Sequence, residues 1–245
     1  MIRKNLLDIV GNMSEMYKTA SPFPHIIIDN FLDQDILEIV LREMIKFDFW
    51  SHDKQIPQYQ VNKYYTPATD TDEETARSLE ILEQVSPITF ATLKYLYSNH
   101  AMNFLTDLTG IKNLQSDPSW FGAGVHRVVN GGRLAIHADF NLNWKINKYR
   151  RINLLLYLNK DWQDEYNGHL ELWHKDMSAC AGKIAPVFNR AVIFNTDRTS
   201  YHGHTVPLNL PPDVARYSLA LYYYTDTPPP DDEEQRFVTW KNSFA

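Results

Sequence analysis

The chain has 245 residues, 44% of them hydrophobic and 13% aromatic, enough to bury a sizeable core within a single domain. Its formal net charge of -6, with acids and bases interspersed, excludes the basic stripe of a nucleic-acid binder, so no nucleic acid is expected as a partner. No apolar run approaches the roughly 18 residues of a membrane span, Cys180 is the only cysteine, and the first residues lack the apolar run of a signal peptide, so a cytoplasmic protein away from membranes is expected.

In chain order, Leu6, Ile9, Val10 and Met13 fall at helical spacing and predict a short docking helix. S-P-F-P-H-I-I-I-D-N over 21–30 reads as a proline-punctuated entry into a buried strand. Asp35 and Glu38 then form a capping-box pattern ahead of Leu37, Val40, Leu41, Met44 and Ile45, so a helix follows the strand. The polar, Tyr-rich stretch 55–65 reads as a strand or an irregular surface loop, and 70–74 as an acidic helix start. Ser86-Pro87 supplies a cap and a first-turn proline for a helix through Leu93 and Leu96, and another helix runs from about 101 to Gly110. Residues 1–117 are thus a mainly helical flanking part without recognisable chemistry.

After Pro118 the character changes. Strands are predicted at 122–129, 133–140, 151–158, 169–173, 191–194, 201–206 and 216–224, with hairpin turns at Asn130-Gly131-Gly132 and Asn167-Gly168. Evenly spaced strands after a helical half imply a mostly β jelly roll over 118–227, with the helices packed outside it. Cys180 reads as a loop residue with no chemistry. The tail 228–245 begins P-P-P-D-D-E-E-Q-R, which reads as extended and solvated.

Chemistry concentrates in N-G-G-R-L-A-I-H-A-D-F-N-L-N, residues 130–143. A strand sends alternate side chains to one face, so His137 and Asp139 can converge on one metal ion. With a distant His they would form the facial triad of non-heme Fe(II) oxygenases, which leaves coordination positions open. Alone, H-x-D is a weak signal. His202 and His204 both follow at a distance that suits a returning strand; being two apart they share a face, and periodicity does not choose between them. His169-x-Glu171 is a rival half-triad, whereas His25, His52 and His100 lack an acidic partner at ligand spacing and read as surface or core residues. Arg216, with Ser218 on the same face, offers a planar donor fork that matches a carboxylate; the alternative is an exposed or ion-paired Arg at a strand start. Asn153, Leu155 and Tyr157 share one face, either as a cofactor-pocket wall or as alternating core.

Taken together, N-G-G-R-L-A-I-H-A-D-F-N, R-R-I-N-L-L-L-Y-L-N-K-D-W, N-G-H-L-E-L-W, A-P-V-F-N-R-A-V-I-F, S-Y-H-G-H and R-Y-S-L-A-L-Y-Y-Y run in an order that resembles the 2-oxoglutarate and Fe(II)-dependent oxygenases of the prolyl-4-hydroxylase-like branch. The resemblance covers about 121–225, with a weaker echo at 22–32. It implies a double-stranded β-helix, the co-substrates 2-oxoglutarate and O2, and Fe(II) held by His137, Asp139 and His202 as the catalytic centre. It also implies that Arg216 and Ser218 grip the distal carboxylate of 2-oxoglutarate. The implied reaction hydroxylates an unactivated C–H bond, of a peptidyl-proline or a small molecule, with release of succinate and CO2. Three departures stand out. Val128 replaces a Tyr nine residues before the first metal His, which makes His126 a candidate substitute; Asn167-Gly168-His169 replaces Gly-Gly-Glu; and His204 falls where relatives usually carry an apolar residue. Two other classes stay open: a cupin-like metal enzyme without 2-oxoglutarate, which needs no Arg216, and a non-catalytic jelly-roll binding module, which needs no triad. Loops at 55–65 and 141–148 are expected to cover the substrate.

Overall fold

The computed structural model describes residues 1–52, 58–67 and 71–241. In chain order its elements are α1 (Lys4–Thr19), β1 (His25–Asp29), α2 (Gln34–Ile45), β2 (Ser51–His52), β3 (Gln60–Pro67), α3 (Asp72–Val85), α4 (Pro87–Leu96) and α5 (Asn99–Thr109). There follow β4 (Gly124–Ala138), β5 (Leu142–Asn143), β6 (Lys148–Tyr157), a 3-10 turn (Asp164–Tyr166), β7 (Leu170–Trp173), β8 (Cys180–Ile184), β9 (Arg190–Asn195), β10 (His202–His204), β11 (Arg216–Thr225) and β12 (Thr239–Trp240).

Side-chain alternation decides how these layers meet. Along β11, Tyr217, Leu219, Leu221 and Tyr223 point into the main core with the helices, while Arg216, Ser218 and Tyr222 face a cavity on the other side. β6 repeats the division: Ile152, Leu154 and Leu156 join the core, and Asn153, Leu155 and Tyr157 line the cavity. The helices cover one face only. Leu37, Val40 and Met44 on α2 are fully enclosed, each contributing roughly 1.5–3 kcal/mol of burial.

The strands pair antiparallel in the order β1-β9-β6-β11-β4-β10-β7-β8, with β3 and β12 also on β4, and the sheet curls around the cavity in the manner of a double-stranded β-helix. β4 serves both halves of the curl: 124–128 pairs with β11, whereas 134 and 137 pair with β10. The expected hairpin at Asn130-Gly131-Gly132 is therefore absent, and one long strand replaces two. Its partner β3 runs along both sides of the glycines, with a register shift between Val61 and Lys63. Gly131 has φ +74°, and a Cβ on Gly132 would lie 2.3 Å from Val128, so the glycines make a bulge in a continuing strand rather than a reversal.

Other expectations are corrected locally. The α2 cap is Asp33, whose Oδ1 accepts from Asp35 and Ile36 N–H at 3.1 and 3.4 Å, so Asp35 lies inside the first turn. On α1 the buried face is Leu6, Met13 and Tyr17, with Ile9 exposed. Cys180 opens β8 rather than sitting in a loop. The tail is solvated only in part: Pro230, Asp231, Glu233, Glu234, Gln235 and Phe237 are exposed, but Asp232 is fully buried, Asn141 Nδ2 donates to the carbonyls of Asp232 and Glu234 at 2.8 Å, and Thr239 and Trp240 pair with Ala138 and His137. Within 55–65, residues 55–57 lie outside the described residues and 60–65 belong to β3; residue 70 of the acidic helix start and residues 242–245 of the tail also lie outside them. No helix among the described residues is long and apolar enough to cross a membrane.

Candidate active site

His137 near the end of β4 and His202 at the start of β10 are cross-strand neighbours, and Asp139 follows two residues after His137. Among the described residues they are the group of three side chains whose ligand atoms, all within 4.8 Å of one another, can hold a metal ion. His137 Nε2 lies 3.6 Å from Asp139 Oδ1, and His202 Nε2 lies 3.6 Å from Oδ2. Their tautomers follow from the backbone. His137 Nδ1 meets the Ala135 carbonyl, and His202 Nδ1 the Ser200 carbonyl, each at 2.9 Å. A carbonyl only accepts, so each Nδ1 carries the proton and each Nε2 turns its lone pair towards Asp139. Burial, with His137 alongside, pushes the His202 imidazole down to about 4, leaving it neutral and able to bind a metal.

Asp139 is braced from behind. Its Oδ2 accepts from Arg150 Nη2 at 2.9 Å and Asn153 Nδ2 at 2.8 Å, and Arg150 Nε donates to Asn153 Oδ1 at 2.9 Å, closing a ring of three side chains. Burial raises the carboxyl pKa, but the Arg150 guanidinium beside it outweighs burial and holds it well below the usual carboxylate range. Arg150 is clamped in turn, its guanidinium 3.5 Å from the Tyr222 ring centroid. Trp240 lies against His137, ring centroids 4.9 Å apart, and Arg236 donates to the Asp139 carbonyl. A buried carboxylate flanked by two outward lone pairs, with Oδ1 taking no hydrogen bond, fits a divalent cation of the Fe(II) type.

This group opens into a cavity of about 320 Å³. Arg216, Ser218, Tyr157, Asn153, Leu155 and His126 all line it, so every candidate site residue reaches one space. Arg216 is buried, its Nε donates to the Gly168 carbonyl at 2.9 Å, and no carboxylate among the described residues pairs with it. Gly168 has φ +70°, and a Cβ there would press on Arg216 Cδ at 3.1 Å, so Asn167-Gly168 shapes the seat of the guanidinium. The Arg216 guanidinium lies 4.9 Å from the Tyr157 ring centroid, and the enclosed Tyr157 hydroxyl has no hydrogen-bond partner of good geometry among the described residues. His126 Nε2 gives its proton to the Gly122 carbonyl at 3.0 Å, and burial beside Lys63 keeps the ring neutral. With that N–H spent on the main chain, the neutral ring has no second donor to stand in for a hydroxyl. His169 does not join a second cluster: it faces Asp164 at 3.4 Å, while Glu171 accepts from Thr205 and Trp173.

Arg150, Trp240, Val238 and Tyr222 complete the site without having been singled out in the sequence. Arg150 escapes the alternation rule because a bulge between Tyr223 and Tyr224 of β11 pairs Tyr224 with Arg150 and skips Arg151, which turns Arg150 to the face of Asn153.

The curled sheet, its facial His-Asp-His group and the cationic end of the cavity define a metal-dependent oxygenase architecture. Residues 123–224 match the family model of the 2OG-Fe(II) oxygenase superfamily. In fold the chain is similar to a prolyl hydroxylase from Trichoplax adhaerens in complex with a hypoxia inducible factor peptide fragment (20% identity, 91% of this chain and 93% of that one, TM-score 0.56). It is also similar to a prolyl-4-hydroxylase from Pseudomonas putida (16%, 88% and 98%, TM-score 0.52) and to HygX from Streptomyces hygroscopicus with nickel, 2-oxoglutarate and hygromycin B bound (11%, 91% and 88%, TM-score 0.55). No curated protein sequence matches the chain. These findings support a 2-oxoglutarate and Fe(II)-dependent dioxygenase domain over residues 123–224, on a fold similar to that of prolyl hydroxylases.

Proposed function

We propose that His137, Asp139 and His202 hold the catalytic Fe(II), that Arg216, Ser218 and Tyr157 hold the distal carboxylate of 2-oxoglutarate, and that the target is a prolyl residue in a peptide. One observation carries the reading: three metal-competent side chains and a buried guanidinium without a carboxylate partner open into the same cavity. Bound Fe(II) and 2-oxoglutarate supply, with O2, the oxidant that hydroxylates an unactivated C–H bond and leaves succinate and CO2. The chain's own residues bind and orient. His137 and His202 keep their protons on Nδ1 and offer Nε2, and Asp139, with Oδ2 engaged by Arg150 and Asn153, offers Oδ1. Arg216 meets a carboxylate with its fork, and the partnerless Tyr157 hydroxyl gives a further donor.

Leu155 and His126 are walls in this scheme, while Asn153 braces Asp139. Phe140, Val238 and Trp240 give the cavity apolar sides suited to an uncharged saturated ring. The likeness in fold to prolyl hydroxylases, one of them with a peptide bound, supports the peptidyl target. The test is succinate formed from 2-oxoglutarate across prolyl peptides and small metabolites. Stimulation by prolyl peptides above the uncoupled background is expected. Stimulation by a small metabolite alone would move the substrate, and protein that binds no 2-oxoglutarate would sink the whole assignment.

A further inference from the structure

His204 is a buried cavity residue that neither the iron nor the carboxylate assignment uses. It ends β10, is 4% exposed, and shares the cavity with Arg216. Two residues of extended chain set it about 6 to 7 Å along the strand from His202. The β10–β4 pairing slips by one between them, so that His202 stands opposite His137 and His204 opposite Leu134, another cavity residue. Gly203 permits this close approach, since a Cβ there would lie 2.7 Å from the Ala135 carbonyl oxygen.

Among the described residues no group bonds either ring nitrogen of His204: Nδ1 is fully enclosed with no partner, and Nε2 keeps open surface. An enclosed N–H without an acceptor costs more than an enclosed bare lone pair, so the proton belongs on Nε2. The cavity's other spare histidine is the opposite case, because His126 has given its proton to Gly122. A carboxylate is repelled by the one and recruited by the other.

Resting on Arg216 as the distal anchor, we infer that His204 donates Nε2–H to the same distal carboxylate and so selects 2-oxo dicarboxylates over 2-oxo monocarboxylates. The test is calorimetric binding to Fe(II)-loaded protein without O2, using 2-oxoglutarate and 2-oxovalerate, which has the same five carbons but no distal carboxylate. His204→Val should weaken 2-oxoglutarate about tenfold or more, the effect of one hydrogen bond to a charged group. It should leave 2-oxovalerate and Fe(II) affinities unchanged. His204→Gln, whose amide nitrogen reaches the Nε2 position, should restore most of the loss, and the shorter His204→Asn should not. Unchanged 2-oxoglutarate affinity in His204→Val, an equal loss for both acids, or equal affinities in the Gln and Asn variants would overturn the inference. If wild type fails to bind 2-oxoglutarate, or Arg216→Ala binds it normally, the anchor assignment itself fails instead.

Discussion

The two ends of the cavity are built on opposite principles. At the metal end, polar side chains are cross-braced: both Nδ1 atoms rest on carbonyls, and Asp139, Arg150 and Asn153 bond one another in a ring. At the other end, among the described residues, the Tyr157 hydroxyl has no hydrogen-bond partner and no carboxylate balances Arg216. Buried polar groups left unsatisfied cost about 1–3 kcal/mol each, so such a cluster is costly unless something else completes it. The protein completes the geometry where a ligand must be held in a fixed direction, and leaves donors bare where a ligand brings its own oxygens. On the proposed assignment, this difference separates a cation site from an anion site.

The largest expected effects come from breaking each end separately. His202→Ala should abolish Fe(II) binding and 2-oxoglutarate turnover, while His204→Ala, at the same strand's other end, should keep the metal and lose at most part of the activity. A metal titration of the two variants checks this, and the reverse pattern would exchange their roles. Next, Arg216→Ala should weaken 2-oxoglutarate by roughly 2–5 kcal/mol, the range for truncating one partner of a buried charge pair. Fe(II) affinity should barely move. If 2-oxoglutarate affinity stays unchanged, the bare cationic end is not the co-substrate's seat.

The sequence made the bare end more legible than the braced one. Arg216, Ser218 and Tyr157 could be named because β11 and β6 are regular where those residues lie, and alternation carries each to the cavity face. Arg150 could not, because the bulge opposite Tyr223 and Tyr224 breaks the alternation just before Asn153. Trp240 was hidden by a different cause: the charged P-P-P-D-D-E-E run reads as solvent, yet Asp232 is buried beneath Arg236, and the chain returns to pair with the metal strand. Gly131 and Gly132 are legible as a break in the strand, but their role depends on β3 running alongside, and that pairing is set by tertiary structure.

Metal-free protein should lose stability as acid is added, and the window follows from the buried imidazoles. The His202 pKa is pushed down from the ordinary value to about 4, and those of His126 and His204 are also depressed. The unfolded chain therefore binds more protons than the native one below about pH 6.5. The stabilisation from neutral His202 is fully present above that pH and is lost as pH falls towards 4, by an amount on the order of 3 kcal/mol. Denaturant titrations in chelator at pH 7.5, 6 and 5 would read it. Fe(II) should shift the loss to lower pH, since the ion competes with protons at Nε2. Stability that does not change across this range would mean that the imidazoles are solvated or charged in the native state.

The smallest expected effect sharpens the comparison most, because it asks which end Asn153 serves. Its position on the cavity face of β6, beside Leu155 and Tyr157, suits a wall of the 2-oxoglutarate pocket. Its bonds, however, go to Asp139 Oδ2 at 2.8 Å and from Arg150 Nε at 2.9 Å, which makes it part of the brace. Asn153→Ala removes both bonds but no charge, so Arg150 still neutralises Asp139 and the carboxylate gains rotational freedom without gaining an unpaired charge. Outer contacts of this kind are worth about 10- to 100-fold in metal affinity, and the low end applies because the ion pair remains. Fe(II) binding should therefore weaken about tenfold, with 2-oxoglutarate affinity at saturating Fe(II) unchanged. A wall residue would give the reverse, a normal metal titration with a weakened 2-oxoglutarate one, and that result would assign Asn153 to the bare end.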